Sequence, residues 1–411
     1  MTTRDTLVIV GAALAGAKAA EGARAAGYDG RVVLLGDEPT APYERPPLSK
    51  AVLRGEADLD STRVHPDGFY AEHDVELVTG HAVALDAADR RIELDDGAAI
   101  AFDRAVLATG AAPRRLGVPG HDLEGVHHLR TAADAVALGG AIRASARVAV
   151  IGAGWIGTEV AASARQMGAD VVLVAPGPVP LHRVLGPEIG AMFRRLHADN
   201  GVSLRLGVGV SELRGPDAVR EVVLDDGRVE EADVVVVGIG AVPRTEIATS
   251  SPGLRVDDGI LVDEHLETTV PGVFAAGDVA DAWHPHFARH VRVEHWANAL
   301  HQGVAAGGNA GGRHDVYGRL PYFFSDQYDL GMEYVGLAEP GDTLVVRGEL
   351  DARSFVALWH RDGIVTAAMH ANVWDVVDDL TALVASRAPI DVDRMADPDV
   401  PLAELVPASS G

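Results

Sequence analysis

The sequence predicts an α/β chain with two buried parallel sheets, followed by a smaller α/β region. Two stretches and one bulk property predict this. The apolar run Leu7-Val8-Ile9-Val10 leads straight into Gly11-Ala12-Ala13-Leu14-Ala15-Gly16, and Val148-Ala149-Val150-Ile151 leads into Gly152-Ala153-Gly154-Trp155-Ile156-Gly157. A glycine turn between a strand and a helix lets backbone approach a pyrophosphate and aims a helix N-terminus at its charge. The composition, 47 % apolar but only 5 % aromatic, suits sheets packed by Val, Leu and Ala.

Taken in order, the first unit runs from the Leu7 strand through an Ala-rich helix (15–26), turns at Gly27 and Gly30, and enters the strand 31–35. That strand ends in Gly36-Asp37-Glu38, about twenty residues past the glycine turn, where an acid takes ribose hydroxyls. A Pro-rich loop (42–50) and short alternating strands (75–78, 82–85, 91–94) come next, then the buried strand 105–107 with Ala108-Thr109-Gly110 at its end. Pro113, Pro119 and Gly120 mark a boundary before the second unit, which closes on Val234-Val235-Val236-Val237-Gly238-Ile239-Gly240. After Pro243 the chain returns to the first unit through Val273-Phe274-Ala275-Ala276-Gly277-Asp278 and a helix near 296–306. Beyond Pro321 short strands lead to a final helix over 373–386. Both units read as Rossmann-like, giving two interleaved dinucleotide-binding domains plus a C-terminal α/β domain. The expected boundaries are 1–113 with 246–320, 114–245, and 321–411.

Composition excludes several chemistries. With no cysteine, the chain has no redox disulfide, sulfenate centre or Cys-ligated iron–sulfur cluster of its own, so electrons must leave for an external acceptor. The net charge of −25 disfavours nucleic acid and anionic membrane as partners. No apolar stretch reaches the ~20 residues of a membrane helix. The first twenty residues read as strand, turn and helix rather than a secretory signal, and a cytoplasmic location is expected. Of 35 basic residues only Lys18 and Lys50 are lysine, which makes Lys50 a candidate for lysine chemistry.

Either glycine turn alone is also an ordinary tight connection, and the first has Ala13 where the middle glycine belongs. What assigns cofactors is the series: a glycine turn with an acid after it, Ala108-Thr109-Gly110, an intact second turn, and Ala276-Gly277-Asp278. Asp278 follows a buried strand, where a carboxylate accepts from ribityl hydroxyls. The expectation is FAD in the first domain, a nicotinamide dinucleotide in the second, and electrons passing between them.

The stretches Pro42-Tyr43-Glu44-Arg45-Pro46-Pro47-Leu48-Ser49-Lys50, Gly152 to Glu159, Gly238-Ile239-Gly240, Ala275-Ala276-Gly277-Asp278, Glu294-His295-Trp296-Ala297-Asn298-Ala299 and Phe324-Ser325-Asp326-Gln327-Tyr328-Asp329 span nearly the whole chain. In these the sequence resembles the FAD-dependent ferredoxin reductases that serve bacterial oxygenases, the putidaredoxin-reductase and dioxygenase-reductase type related to apoptosis-inducing factor. The resemblance implies a glutathione-reductase-like fold and an NAD(P)H:ferredoxin oxidoreductase. FAD would take electrons from NADH or NADPH and pass them singly to a 2Fe–2S ferredoxin that supplies a monooxygenase or dioxygenase, the reductase being a monomer or homodimer.

It also implies the site. Lys50 and Glu159 are the catalytic pair that positions the nicotinamide, although Glu159, placed in the first turn of its helix, is also a favourable charge on the helix dipole. FAD is expected at Gly11, Ala13, Leu14, Ala15, Gly16, Asp37, Glu38, Arg45, Lys50, Val83, Ala108, Thr109, Gly110, Arg130, Asp278 and Val279. Glu294, His295 and Trp296 would flank the flavin from a helix start, or serve as a half-buried helix N-terminus. The nicotinamide dinucleotide is expected at Gly152, Gly154, Trp155, Ile156, Gly157, Glu159 and Gly240. Phe324 stands where relatives often carry tryptophan and keeps its stacking face. The main departure is Ala175, where the family usually has a glutamate for the adenosine ribose. Without that carboxylate, Arg183 is placed to meet a 2′-phosphate, and NADH stays only slightly ahead of NADPH. No metal is expected, the histidines 284, 286 and 290 being read as a solvated loop. Two other readings stay open: an NAD(P)H oxidase or small-molecule reductase without a ferredoxin, and a signalling flavoprotein controlled by nicotinamide reduction.

Overall fold

The computed structural model describes residues 5–406, so the outermost residues assigned to the first and C-terminal domains lie outside it. The chain divides into two compact units, 5–44 with 59–112 and 241–321, and 45–58 with 113–240 and 322–406.

The first unit is organised by a five-stranded parallel sheet in the order Val273–Ala275, Arg104–Leu107, Thr6–Val10, Arg31–Gly36, Val75–Thr79. Its central strands are buried on both faces, which is why they read as unbroken apolar runs. Val75–Thr79 joins this sheet as its edge rather than the small antiparallel sheet made by Ala82–Asp86, Arg91–Leu94 and Ala99–Ala101. Helix Leu14–Ala25 lies against helix Trp296–Ala310 through small residues. A Cβ on Gly22 would stand 2.2 Å from Val304 O, one on Gly303 2.4 Å from Ala15 O, and one on Gly307 1.9 Å from Ala19 O. The Ala/Gly composition of both helices is therefore a packing requirement, not merely helix propensity.

The second unit repeats the parallel sheet, in the order Ser203–Leu206, Asp170–Ala175, Arg147–Ile151, Val234–Val237, Val126–His127. It also holds a five-stranded antiparallel sheet, Tyr322–Gln327, Leu330–Gly336, Ile364–Ala371, Ser354–Arg361, Thr343–Glu349. Helix His182–Asp199 packs on that sheet through a shared core of Leu185, Ile189 and Phe193 with Phe323, Trp359 and Met369. The helix expected over 373–386 covers Val377–Ser386 only and is not the last, since two short helices, Val392–Ala396 and Leu402–Leu405, follow it. It starts later than 373 because Asn372 and Asp375 have φ of 49° and 63°, a left-handed conformation that no helix continues through.

Candidate functional site

In the first unit the turn closes only because two of its residues lack a Cβ. Gly11 has φ +112°, and a Cβ there would lie 2.1 Å from Ala108 O, while one on Gly16 would lie 1.8 Å from Gly11 O. These contacts bring Ala108, Thr109 and Gly110 to the turn. Ala13 caps helix Leu14–Ala25 with φ −100°, so an alanine fits there without strain. The helix has no side-chain cap and no acid in its first turn, which leaves its N–H groups open to an anion. Helix Ala132–Ala144 shows the alternative, with a Thr131–Asp134 capping box that satisfies its own donors.

Gly277, at φ +79°, would carry a Cβ 3.0 Å from Ala15 Cβ, so Asp278 and the fully buried Val279 follow directly on the residue beside that helix start. Two residues that no motif marked hold this segment. Gln302 accepts from Gly277 N at 2.9 Å, and Arg292 donates to Asp278 O at 3.2 Å. Arg292 also pairs with Asp258 at 3.1 Å and with Glu294. His295 caps helix Trp296–Ala310, whose start again has no side-chain cap. Burial pushes the His295 imidazole down to about 4, so it is neutral at physiological pH. At the far end of the dinucleotide path, Glu38 accepts from the Tyr43 hydroxyl at 2.6 Å and Asp37 pairs with Arg244 at 3.0 Å. Val83 sits at an irregularity of strand Ala82–Asp86 and is 42 % exposed. An open helix start, backbone access at two glycines and carboxylates on both sides fit FAD. Bound there, it would accept a hydride and release electrons one at a time.

The second turn has the same contacts. A Cβ on Gly152 (φ +107°) would lie 2.2 Å from Gly238 O, and one on Gly157 1.9 Å from Gly152 O, whereas one on Gly154 meets nothing within 4 Å. Helix Trp155–Gln166 starts at that open glycine with no cap and no acid in its first turn. Ile156 is exposed, Trp155 packs edge-on against Phe323 at 4.6 Å between centroids, and Gly240 faces open space. Strand Asp170–Ala175 ends on a buried methyl group, with no carboxylate at its tip. Arg183 is exposed and without an ion pair among the described residues, on a single helical turn that Gly186 and Pro187 interrupt.

Glu159 needs a correction. The helix begins at Trp155, so Glu159 lies in its second turn rather than its first. The helix-dipole effect falls off within the first turn, which leaves the dipole reading little force. Its contacts account for it instead. Lys50 Nζ lies 2.8 Å from Glu159 Oε1, with 16 % and 6 % of the two side chains exposed. Ser325 donates to the same oxygen at 2.7 Å and Ser49 donates to Oε2 at 2.5 Å. Lys50 Nζ is also 5.9 Å from the Phe324 ring centroid. Ser49, Ser325 and Gln327 lie inside the stretches 42–50 and 324–329, but nothing in the sequence assigns them a role. Their signal is a strand, Tyr322–Gln327, whose inward positions Ser325 and Gln327 are polar yet 1 % exposed.

Arg45 precedes the Pro46–Ser49 turn, and Arg130 donates its N–H to Asp134 at 3.0 Å. Both belong to the second unit, whereas Gly11, Asp37 and Asp278 belong to the first. His284 is buried in strand Ala280–His284 with Nε2 2.9 Å from Arg319 O, rather than in a solvated loop. Among the described residues no three His, Asp or Glu side chains gather as metal ligands.

Comparison with known proteins covers nearly the whole chain. Residues 5–303 match the pyridine nucleotide-disulphide oxidoreductase family and residues 322–406 the reductase C-terminal family. The chain is 36 % identical over 416 residues to putidaredoxin reductase CamA of Pseudomonas putida, covering 100 % of this chain and 98 % of that one. It is 38 % identical to the anthranilate 1,2-dioxygenase system ferredoxin–NAD(+) reductase component of Burkholderia cepacia, covering 97 % and 98 % of the two chains. Among solved structures, the ferredoxin reductase for the CYP199A2 system from Rhodopseudomonas palustris matches with a TM-score of 0.94 at 36 % identity, over 98 % of this chain and 100 % of that one. The reductase in a covalent putidaredoxin reductase–putidaredoxin complex matches with a TM-score of 0.94 at 35 % identity, over 98 % of each chain. No described helix is long and apolar enough to cross a membrane. Two glycine turns built on the same contacts, in a chain matched over nearly its whole length, place it among the FAD-dependent pyridine nucleotide-disulphide oxidoreductases as a member of the ferredoxin reductase family that uses FAD and a nicotinamide dinucleotide.

Proposed function

We infer that this enzyme passes electrons from a reduced nicotinamide, through FAD, to a 2Fe–2S ferredoxin that feeds an oxygenase. The observation that carries the reading is the pair of uncapped helix starts, each behind a glycine turn, in a chain without cysteine. Two dinucleotides are accommodated, and the chain holds no thiol acceptor of its own.

The domain assignment proposed is FAD on 1–113 with 246–320, the nicotinamide dinucleotide on 114–245, and the C-terminal domain on 321–411. Within it, Lys50 and Glu159 act on alignment. Glu159 fixes the ammonium group by an ion pair, and Phe324 offers an apolar face beside it. Hydride transfer gains most from fixed geometry and exclusion of water, so neither residue is assigned as a general base. NADH is proposed as the donor, with weak discrimination against NADPH because strand Asp170–Ala175 ends without a carboxylate. A cytoplasmic location follows from a donor that is made and recycled inside the cell.

Anaerobic stopped-flow mixing of the FAD-loaded protein with NADH and with NADPH tests the first half-reaction, the flavin absorbance bleaching with at least one of them. Reduction of a haem protein that depends on added 2Fe–2S ferredoxin tests the second. Bleaching without ferredoxin-dependent turnover would move the assignment to an oxidase or small-molecule reductase.

A further inference from the structure

A one-way hydrogen-bond chain runs into Glu159 within the second unit. It starts at His197 on helix His182–Asp199, which is fully buried. Burial holds this imidazole down to about 4, so it is neutral at pH 7. Its Nε2 lies 3.0 Å from Gln327 Oε1, while its Nδ1 has no hydrogen-bond partner among the described residues. The proton therefore sits on Nε2 and donates to the amide oxygen. With that oxygen occupied, the Gln327 amide nitrogen donates to Thr158 Oγ1 at 3.0 Å and to Ser325 Oγ at 3.2 Å. Thr158 is taken up by the carbonyls of Gly154 and Trp155 at 3.1 and 3.0 Å. Ser325, already accepting, has its own proton left for Glu159 Oε1 at 2.7 Å. Ser49 holds Oε2 at 2.5 Å, and its carbonyl is in turn anchored by Ser163 Oγ at 2.6 Å.

We propose that Ser49 and Ser325 are positioning residues that clamp the two carboxylate oxygens of Glu159, so that strand Tyr322–Gln327 of the C-terminal sheet sets where the Lys50 ammonium stands during hydride transfer. The inference rests on the reading of Lys50 and Glu159 as the aligning pair. A single ion pair leaves a carboxylate free to swing about its last torsion. Donors on both oxygens, each fixed from behind, remove that freedom. Asp326 also acts here, its carboxyl raised by desolvation, drawn down by Lys50 and raised further by Glu159 and Glu333.

The test uses FAD-loaded Ser325→Ala, Ser49→Ala, Ser325→Thr, Glu159→Gln and Lys50→Met, reduced by NADH in an anaerobic stopped-flow instrument from pH 6 to 9. Flavin content and thermal midpoint serve as controls for folding. Ser325→Ala and Ser49→Ala should each lower the limiting reduction rate about tenfold, with the NADH dissociation constant changed less than about threefold. Ser325→Thr, which keeps the hydroxyl, should restore the rate. Should Ser325→Ala fail to fold, Ser49→Ala carries the same test on the other oxygen. Wild-type rates in both serine variants, with Glu159→Gln and Lys50→Met slow, would overturn the clamp and leave the aligning pair standing. A wild-type rate in Glu159→Gln would overturn both.

Discussion

The two glycine turns share their inner contacts and differ at their edges. Gly11 and Gly152 each press on the backbone of a neighbouring strand end, where an added Cβ would lie 2.1 and 2.2 Å from a carbonyl oxygen, and Gly16 and Gly157 each close on the first glycine at 1.8 and 1.9 Å. The middle position differs, Ala13 against Gly154, and so does the tip of the next strand, Gly36-Asp37-Glu38 against Ala175-Pro176-Gly177. What is shared builds the turn, and what differs is the proposed basis for telling the two ligands apart.

The largest expected effect tests the shared part. Gly11→Ala and Gly152→Ala each force a side chain into a positive-φ residue against a carbonyl and should cost at least about 3 kcal/mol. Thermal unfolding with flavin content as readout should separate them, Gly11→Ala losing FAD and Gly152→Ala losing nicotinamide binding first. If both lose only FAD, the division of the ligands is wrong.

Each unit also holds a histidine that burial pushes from 6.5 to about 4, His295 in the first and His197 in the second. The unfolded chain takes up protons below 6.5 while the folded one resists until about 4. Stability is thus complete above that window and falls as pH drops through it, by roughly 3 kcal/mol per residue at most. Calorimetry from pH 7 to 4 on the apoprotein and on the FAD-loaded protein reads this loss. A flat profile in both would show that neither imidazole is held neutral.

Ala175→Glu sharpens the difference at the strand tips. Restoring a carboxylate should shift the ratio of kcat/KM for NADH over NADPH by about tenfold toward NADH, or 1.4 kcal/mol. An unchanged ratio would mean that the 2′-position is read elsewhere. The smallest effect belongs to Gly154→Ala, which gives the second turn the residue of the first. With nothing within 4 Å of the new Cβ, stability should change by less than about 0.5 kcal/mol in denaturant titration.

Both parallel sheets were legible because their strands are apolar runs that end in glycine, a local signal. Lys50 stood out by composition, and its pairing with Glu159 by resemblance. Ser325, Gln327 and His197 formed no legible network because strand Tyr322–Gln327 and the two helices carrying His197 and Glu159 are far apart in sequence, and a polar residue inside a strand carries no mark of the partner it faces. Arg292 and Gln302 escaped for the same reason. Glu159 falls in the second turn because the helix already starts inside the glycine turn, capped at Gly154, rather than after Gly157. The late start of helix Val377–Ser386 was readable in principle, since Asn372 and Asp375 are among the residues that most readily take left-handed backbone.

The helix pair Leu14–Ala25 and Trp296–Ala310 has a consequence for how this chain drifts over generations. Every missense change of a glycine codon adds at least a Cβ, and at Gly22, Gly303 and Gly307 that atom has 2.4 Å or less to the facing backbone. No single-nucleotide missense step there leads to a better-fitting residue. In a saturation mutagenesis screen these positions would score as intolerant as any ligand-binding residue, for a reason that lies in the facing backbone. Purifying selection along this seam would report the spacing of two backbones, and a reader of such a screen who mapped intolerance onto chemistry would draw the site too large.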